Sequence, residues 1–167
     1  MNHYRMEPLD VEGALHDRDA FTCGEETLDR YIKTLAAQDM RRGFAHVIVA
    51  VRPDTPAVLG YYTLSTASVD LTSLPEELRK KMPRYGQVPA VLLGRLAVDT
   101  SEQRRGLGTK LLANAVKRAL RSELAWAMFL VRAKHEQAVN FYQRFGFIPS
   151  ANDPLLLWLP RRLAESV

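Results

Sequence analysis

The stretch Gln103-Arg104-Arg105-Gly106-Leu107-Gly108-Thr109-Lys110 combines glycines, a predicted helix start and the cations Arg104, Arg105 and Lys110. Glycines let backbone N–H groups come close to a ligand, and a helix start aims its unpaired donors and its positive dipole end outward. Backbone donors beside a guanidinium fork suit a pyrophosphate better than a lone carboxylate. A short glycine pair at a helix start is also the pattern of a plain tight turn. The segment is not a Walker loop, because Gly-Lys-Ser/Thr is absent, nor a dinucleotide fingerprint, because the third glycine and an early βαβ unit are missing.

Tyr142 is the second candidate. Ala138, Phe141, Tyr142 and Phe145 recur at helical spacing, so one reading of Tyr142 is a core aromatic and the other is a general acid. Cys23, the single cysteine, has no Cys/His/Asn constellation around it and reads as a small buried structural residue. His3, His16, His46 and His135 have no metal-ligand spacing, so no metal is expected. Arg41-Arg42, Arg79-Lys80-Lys81 with Arg84, and Arg161-Arg162 read either as solvated clusters or as a nucleic-acid surface.

The elements that must carry these residues follow from periodicity. Thr22 and Glu25 form the pattern of a capping box, and Leu28, Tyr31, Ile32 and Leu35 continue it as an amphipathic helix over 23–38. His46–Val51 and Val58–Val69 flank the turn residues Pro53-Asp54-Thr55-Pro56 and read as an antiparallel hairpin. Ser73 with Glu76 suggests a second capping box and a short helix, followed by a loop over 82–89. Ala90–Val98, apolar almost throughout, reads as a central strand. The glycine stretch follows it, then a helix with Leu107, Leu111, Leu112, Ala115 and Ala119 on one face. Ala125–Val131 is a further strand. A helix through Ala138–Phe145 ends at Gly146 in a left-handed position, and Phe147–Ile148 and Leu155–Leu159 close the chain as strands. Three or more helices among six or seven strands make a mixed α/β or α+β sheet.

The chain has 167 residues, 47% hydrophobic and 25% charged, a globular composition near the mode for one domain. One cysteine and no basic-plus-apolar leader at Met1–Asp10 fit a reducing cytosol. The longest apolar runs fall far below the roughly 20 residues of a membrane helix. A formal charge of +4 leans towards phosphate-bearing partners without naming one.

Leu93-Gly94-Arg95-Leu96-Ala97-Val98-Asp99, the loop ending in Gly106-Leu107-Gly108, and Ala138-Val139-Asn140-Phe141-Tyr142-Gln143-Arg144-Phe145-Gly146-Phe147 together resemble, in order and separation, the acyl-CoA core of the GNAT superfamily of N-acetyltransferases. Phe21-Thr22-Cys23-Gly24, Leu28-Asp29-Arg30-Tyr31-Ile32, Leu59-Gly60-Tyr61-Tyr62-Thr63-Leu64-Ser65 and Pro89-Ala90-Val91-Leu92-Leu93-Gly94-Arg95-Leu96-Ala97 look like its toxin branch, from bacterial type II toxin–antitoxin pairs. That branch acetylates the α-amino group of aminoacyl-tRNA and blocks translation.

The resemblance implies one domain over 1–167, with a central, mostly antiparallel mixed sheet of six or seven strands, a splayed central strand and flanking helices. It implies acetyl-CoA as co-substrate and no metal. The pyrophosphate falls to Arg104, Arg105, Gly106, Leu107, Gly108 and Thr109, the pantetheine arm to Leu96, Ala97 and Val98, with Asn140 nearby, and general acid catalysis to Tyr142. The expected tRNA contacts are Arg41, Arg42, Arg79, Lys80, Lys81, Arg84 and Arg95. Many members of the family carry Asn seven positions before the helix tyrosine, where this chain has His135. Implied partners are aminoacyl-tRNA, a ribbon-helix-helix antitoxin through which alone operator DNA would be met, and a second copy of the chain; no membrane is implied, and the compartment is the cytoplasm.

Within that expectation the departing thiolate needs a proton or a hydrogen bond, which a Tyr hydroxyl can supply; with a thiol near 8.5 and Tyr near 10, full transfer is uphill by roughly 2 kcal/mol. An α-amino group with pKa near 8 is about a tenth neutral at pH 7, so it needs little help from a base. Asp70, Asp99 and Glu136 are candidates for that help, and so is water. Two other readings stay open: an acetyltransferase of a small amine or a protein N-terminus, and a non-catalytic CoA-responsive module or co-repressor. Release of free thiol separates enzyme from module, and the basic balance argues against a polycationic acceptor.

Overall fold

The structure, a computed structural model, describes residues 3–167. Seven strands form one mixed sheet in the order β1-β2-β3-β4-β5-β7-β6. They are β1 (Arg5–Pro8), β2 (His46–Val51), β3 (Gly60–Asp70), β4 (Gln87–Val98), β5 (Met128–Arg132), β6 (Ile148–Pro149) and β7 (Leu156–Pro160). β4 lies fourth of seven, the central place its apolar run predicts. By contact the chain divides into two compact units, residues 3–65 with Gly94–Ala115, and Thr66–Leu93 with Val116–Val167.

In the first unit β2 pairs antiparallel with β1 (Met6 opposite Ala50) and with β3 (Ile48 opposite Tyr62), so the expected hairpin is present. Val47 to Val51 are all buried, the signature of a strand covered on both faces. Val47, Val49 and Val51 pack with Leu28, Tyr31, Ile32 and Tyr61. The helical segment comprises α1 (Glu26–Arg30), a π-helical turn (Tyr31–Leu35) and α2 (Ala36–Arg42), ending at Gly43 with φ +76°. It does not start at Cys23, and Thr22 and Glu25 form no capping box. Gly24 has φ +94° and keeps the chain out of the helix for another turn. Glu25 is the N-cap with no side-chain bond. The Asp29 carboxylate instead accepts from Cys23 N–H at 2.8 Å and from the Thr22 hydroxyl at 3.3 Å.

α4 (Leu107–Arg121) begins in this unit with Leu107, Leu111, Leu112 and Ala115 buried. Its close approach to β3 requires Gly60. A Cβ there would lie 2.9 Å from Leu111 Cδ1 and 3.2 Å from the Ala97 carbonyl.

In the second unit β4 and β5 run parallel, with Ala90 opposite Met128, and β7 pairs antiparallel with both β5 and β6. Val69, Leu74, Val88, Ala90, Met128, Leu130 and Trp158 form one core cluster. β4 starts three residues before the expected Ala90. Pro89 lacks a donor, yet its carbonyl accepts from Ala127 N–H at 2.9 Å, so the proline does not end the ladder. β5 starts later than expected, because Trp126 turns inward and donates Nε1–H to the Ala119 carbonyl at 2.8 Å.

The short helix α3 (Glu76–Arg79) exists, but not through a Ser73 cap. Ser73 closes a 3₁₀ turn over Leu71–Ser73, capped by Asp70, and α3 starts from Pro75. A later helix, α5 (Glu136–Gln143), carries Tyr142, and Gly146 follows at φ +93° as expected. The last helix, α6, is Arg161–Ala164.

Candidate active site

The glycine stretch belongs to the first unit. After β4 the Asp99 carboxylate accepts from Thr22 N–H at 2.9 Å and from the Ser101 N–H and hydroxyl at 3.0 and 2.6 Å. Burial raises its pKa, but these donors outweigh burial and hold the carboxyl below its ordinary range. The next turn, Thr100–Glu102, buries Glu102 to 3% exposure. Its carboxylate pairs with Arg52 and accepts from the Tyr4 hydroxyl at 2.6 Å. Gln103 Nε2 donates to the carbonyls of Cys23 and Val98 at 2.8 and 2.9 Å.

The loop is therefore held by these bonds, and its exposed surface presents backbone together with the Arg104 and Arg105 side chains. Arg104 has φ +64° and Gly106 has φ +87°. Arg104 is the one non-glycine with positive φ among the described residues, a conformation uncommon away from special sites. A Cβ on Gly106 would meet nothing within 4 Å, so the space over it is open. The first bond of α4 runs from Lys110 N–H to the Gly106 carbonyl at 3.2 Å, which leaves the N–H groups of Leu107, Gly108 and Thr109 without a partner in the helix. Arg104, Arg105 and Lys110 are exposed beside them, and the Lys110 ammonium stands 5.3 Å from the Tyr4 ring centroid. An anion is the ligand such an array accepts. Leu107 is buried and fixes the helix end, Gly108 is half-buried and Thr109 exposed. On β4, Ala97 is buried and Leu96 and Val98 are half-buried.

Arg95, also on β4, is half-buried and stacks on the Tyr31 ring, 3.6 Å from its centroid. Tyr31 donates its hydroxyl to Asp39 at 2.9 Å. Among the described residues Arg95 has no carboxylate partner.

Tyr142 belongs to the second unit. It is 4% exposed, and its ring meets Phe141 and Phe147 edge-on, with centroids 5.1 and 5.7 Å away. Of the expected aromatic stripe it alone is buried; Ala138, Phe141 and Phe145 are half-buried. Its hydroxyl makes no hydrogen bond among the described residues, and burial pushes its pKa well above the ordinary tyrosine value, keeping the group protonated. A protonated hydroxyl in an apolar wall can donate to a developing thiolate. Asn140 is exposed on the same helix. His135 is the N-cap of α5, its Nδ1 accepting from Ala138 N–H at 3.3 Å.

The three carboxylates considered as bases divide clearly. Asp70 accepts from the Thr72 N–H and hydroxyl, and those bonds lower its pKa, so it and Asp99 are committed to turns. Glu136 is exposed in the first turn of α5. Cys23 is half-buried, with its thiol pushed up to about 11 chiefly by burial, which suits structure and not nucleophilic attack. No group of three or more potential metal ligands occurs among the described residues. Arg79, Lys80, Lys81 and Arg84 are exposed in and after α3, and Arg41 and Arg42 are exposed in the last turn of α2, where Arg41 donates to the Val11 carbonyl. Glu102 and its Arg52 and Tyr4 partners had no sequence signal, since the contacts join residues 50 and 98 positions apart.

The chain matches the family described as "Acetyltransferase (GNAT) domain" over residues 43–149. It is 38% identical over 153 residues to a protein of Mycobacterium tuberculosis (strain ATCC 25618 / H37Rv) named "tRNA-acetylating toxin", covering 90% of each chain. A solved structure of AtaT complexed with acetyl-methionyl-tRNAfMet superimposes with TM-score 0.87 and 33% identity, covering 98% of both chains. A mutant AtaT toxin bound to the C-terminus of the antitoxin AtaR and acetyl-CoA gives TM-score 0.81 and 29% identity, covering 99% of this chain and 98% of that one. The family match takes in both the glycine loop and Tyr142, and on that ground the chain belongs to the GNAT acetyltransferase family.

Proposed function

We propose that this enzyme transfers the acetyl group of acetyl-CoA to the α-amino group of aminoacyl-tRNA, and that it is the toxin of a toxin–antitoxin pair that blocks translation. The observation that carries this reading is the near end-to-end similarity to a toxin solved with acetyl-methionyl-tRNA, supported by the relative named for tRNA acetylation. Acetyl-CoA supplies an activated thioester, and this chain's free donors fit its pyrophosphate. The N–H groups of Leu107, Gly108 and Thr109 with the Arg104 and Arg105 side chains hold that group, and open space over Gly106 admits it. Leu96, Ala97 and Val98 offer strand backbone to the pantetheine arm. Tyr142, held protonated by burial, gives a hydrogen bond to the departing sulfur, full proton transfer being still more uphill than from an ordinary tyrosine. His135 is occupied as the N-cap of α5.

The acceptor amine needs no dedicated base, because about a tenth of an α-amino group is neutral at pH 7. Asp70 and Asp99 are spoken for, and water can take the proton. Arg79, Lys80, Lys81, Arg84, Arg41, Arg42 and Arg95 are the cations offered to tRNA phosphates. The partner is an antitoxin, by likeness to the AtaT–AtaR complex; its ribbon-helix-helix type, operator DNA met only through it, dimerisation and a cytoplasmic site of action are parts of the same proposal. No helix among the described residues is long and apolar enough to cross a membrane.

The test is transfer of label from acetyl-CoA to a mixture of charged and deacylated tRNA, with a polyamine and an aminoglycoside as competitors. Label in charged tRNA alone, recovered as N-acetylaminoacyl ester, is the expected result. Label on the small amines and none on charged tRNA would overturn the reading.

A further inference from the structure

Between α3 and β4 the chain runs through Lys80-Lys81-Met82-Pro83-Arg84-Tyr85-Gly86. Tyr85 is 83% exposed, the most exposed large hydrophobic side chain among the described residues. An aromatic ring left this far in water makes little contribution to folding, since the stabilisation of a ring comes from the area it removes from solvent. No hydrogen bond or ring contact of Tyr85 exists among the described residues. The loop itself is anchored: Leu71 N–H donates to the Gly86 carbonyl at 2.8 Å, Met82 N–H to the Arg79 carbonyl at 3.1 Å, and Gly86 turns the backbone at φ +81°. The ring is thus presented on a fixed turn.

The surroundings are cationic. Arg79, Lys80, Lys81 and Arg84 are all exposed, against the two carboxylates of Glu76 and Glu77. The ion pair in this segment is Lys80 with Glu76, at 3.5 Å and open to water, where such pairs contribute little. Leu71, Glu76, Arg79, Lys80, Met82, Arg84 and Gly86 line a groove of about 520 Å³, three cations against one carboxylate, and Tyr85 lies in sequence between the lining residues Arg84 and Gly86.

Cations that follow a groove and an exposed ring beside them are the two components of single-stranded nucleic acid recognition: the cations meet phosphates, and the ring takes a base face. A ring takes the face of an unpaired base without the unstacking cost of a few kcal/mol that a base step inside a duplex imposes. Resting on the tRNA reading above, we propose that Tyr85 is a stacking platform for an unpaired nucleotide of the aminoacylated 3′ end, with Arg79, Lys80 and Arg84 on the adjoining phosphates. Charge complementarity favours RNA over a protein partner here, because the excess of cations around the ring matches a polyanion.

Stacking and phosphate contact differ in their response to salt, and this separates the ring from the cations. Loss of a phosphate contact lowers the slope of log affinity against log salt by somewhat under one unit, whereas loss of a stack lowers affinity at every salt concentration and leaves the slope in place. The experiment uses the full chain and two RNA minihelices of identical duplex, one with a four-nucleotide single-stranded 3′ overhang and one blunt. The parent is expected to prefer the overhang. Tyr85→Ala should lose about tenfold or more on the overhang helix, bind the blunt helix as before and keep the salt slope, and Tyr85→Phe should restore the parent affinity. Arg79→Ala with Arg84→Ala should lower the slope on the overhang helix.

Because Tyr85 is exposed, neither variant threatens folding, and because binding is measured without catalysis, the result stands apart from the acetylation assay. Equal affinity of Tyr85→Ala and parent for the overhang helix would overturn the platform while leaving tRNA acetylation standing. So would a loss confined to binding of an antitoxin segment, which would mark Tyr85 as a protein contact. Overhang preference in a chain that acetylates no charged tRNA would keep the platform and sink the reading of the substrate.

Discussion

The Tyr4 hydroxyl donates to Glu102 Oε2 at 2.6 Å and so ties the chain's first strand region to the turn that launches the glycine loop, 98 residues later. Glu102 is nearly sealed from water, and Arg52 is its ionic partner. Removing one member leaves a buried carboxylate short of a donor. Arg52→Ala should destabilise the protein by about 2–3 kcal/mol, and Tyr4→Phe by about 1–2 kcal/mol, read as shifts in the urea midpoint. Both should raise the KM for acetyl-CoA more than they lower kcat, because the turn sits beneath the loop. An unshifted midpoint in Arg52→Ala would mean that water reaches the carboxylate.

Gly106 combines open space with φ +87°. Any L side chain there is strained and fills the space over the free donors. Gly106→Val should weaken acetyl-CoA binding at least tenfold, about 1.4 kcal/mol. Calorimetry on the folded variant checks this, and unchanged affinity would remove the pyrophosphate from the loop.

Tyr142→Phe keeps the ring against Phe141 and Phe147 and deletes only the hydroxyl. Turnover should fall roughly 10²-fold or more with acetyl-CoA affinity nearly retained, the pattern of an interaction made only in the transition state. Single-turnover kinetics and titration calorimetry separate the two. A variant as fast as its parent would make Tyr142 a packing residue and nothing more.

Tyr31, Tyr61 and Tyr142 are each raised above the ordinary tyrosine pKa, in every case first by burial. Above pH about 10 the unfolded chain releases phenolic protons that the native state keeps, so stability is fully present below about pH 10 and falls as pH rises beyond it. Urea midpoints at about pH 8 and about pH 11 should show the decline, and tyrosinate absorbance should report fewer than the six tyrosines titrating near pH 10 in the native protein. All six titrating together in folded protein would contradict the burial assigned to them.

Much of this molecule follows local rules that a sequence displays. The buried face of α4, the β2–β3 hairpin and the central place of β4 each follow from a repeat of 3.6, a repeat of 2 or an unbroken apolar run. The helix start near Thr22 misleads, because nothing in Thr-x-x-Glu reveals that Gly24 takes φ +94°. The π turn at Tyr31–Leu35 leaves no periodic trace over five residues. Arg95 on Tyr31 and Arg52 on Glu102 are tertiary contacts, and no pattern in neighbouring residues encodes them. Gly106 was legible as a special backbone site; the positive φ of Arg104 was not, since arginine seldom adopts it.

Neither compact unit is contiguous along the chain: the first needs Gly94–Ala115 as well as the N-terminal residues, and the second takes up Thr66–Leu93 before Val116–Val167. During synthesis on the ribosome, the N-terminal residues alone therefore lack part of the packing that completes their unit. They must wait for the glycine loop and the first half of α4 to leave the exit tunnel, a delay of a few seconds at about 5–20 residues per second. Until then β2, buried on both faces in the finished protein, is an apolar strand awaiting cover. A nascent chain paused before Gly94 leaves that strand open to chaperones and proteases, and a stop codon there leaves no fragment with a glycine loop.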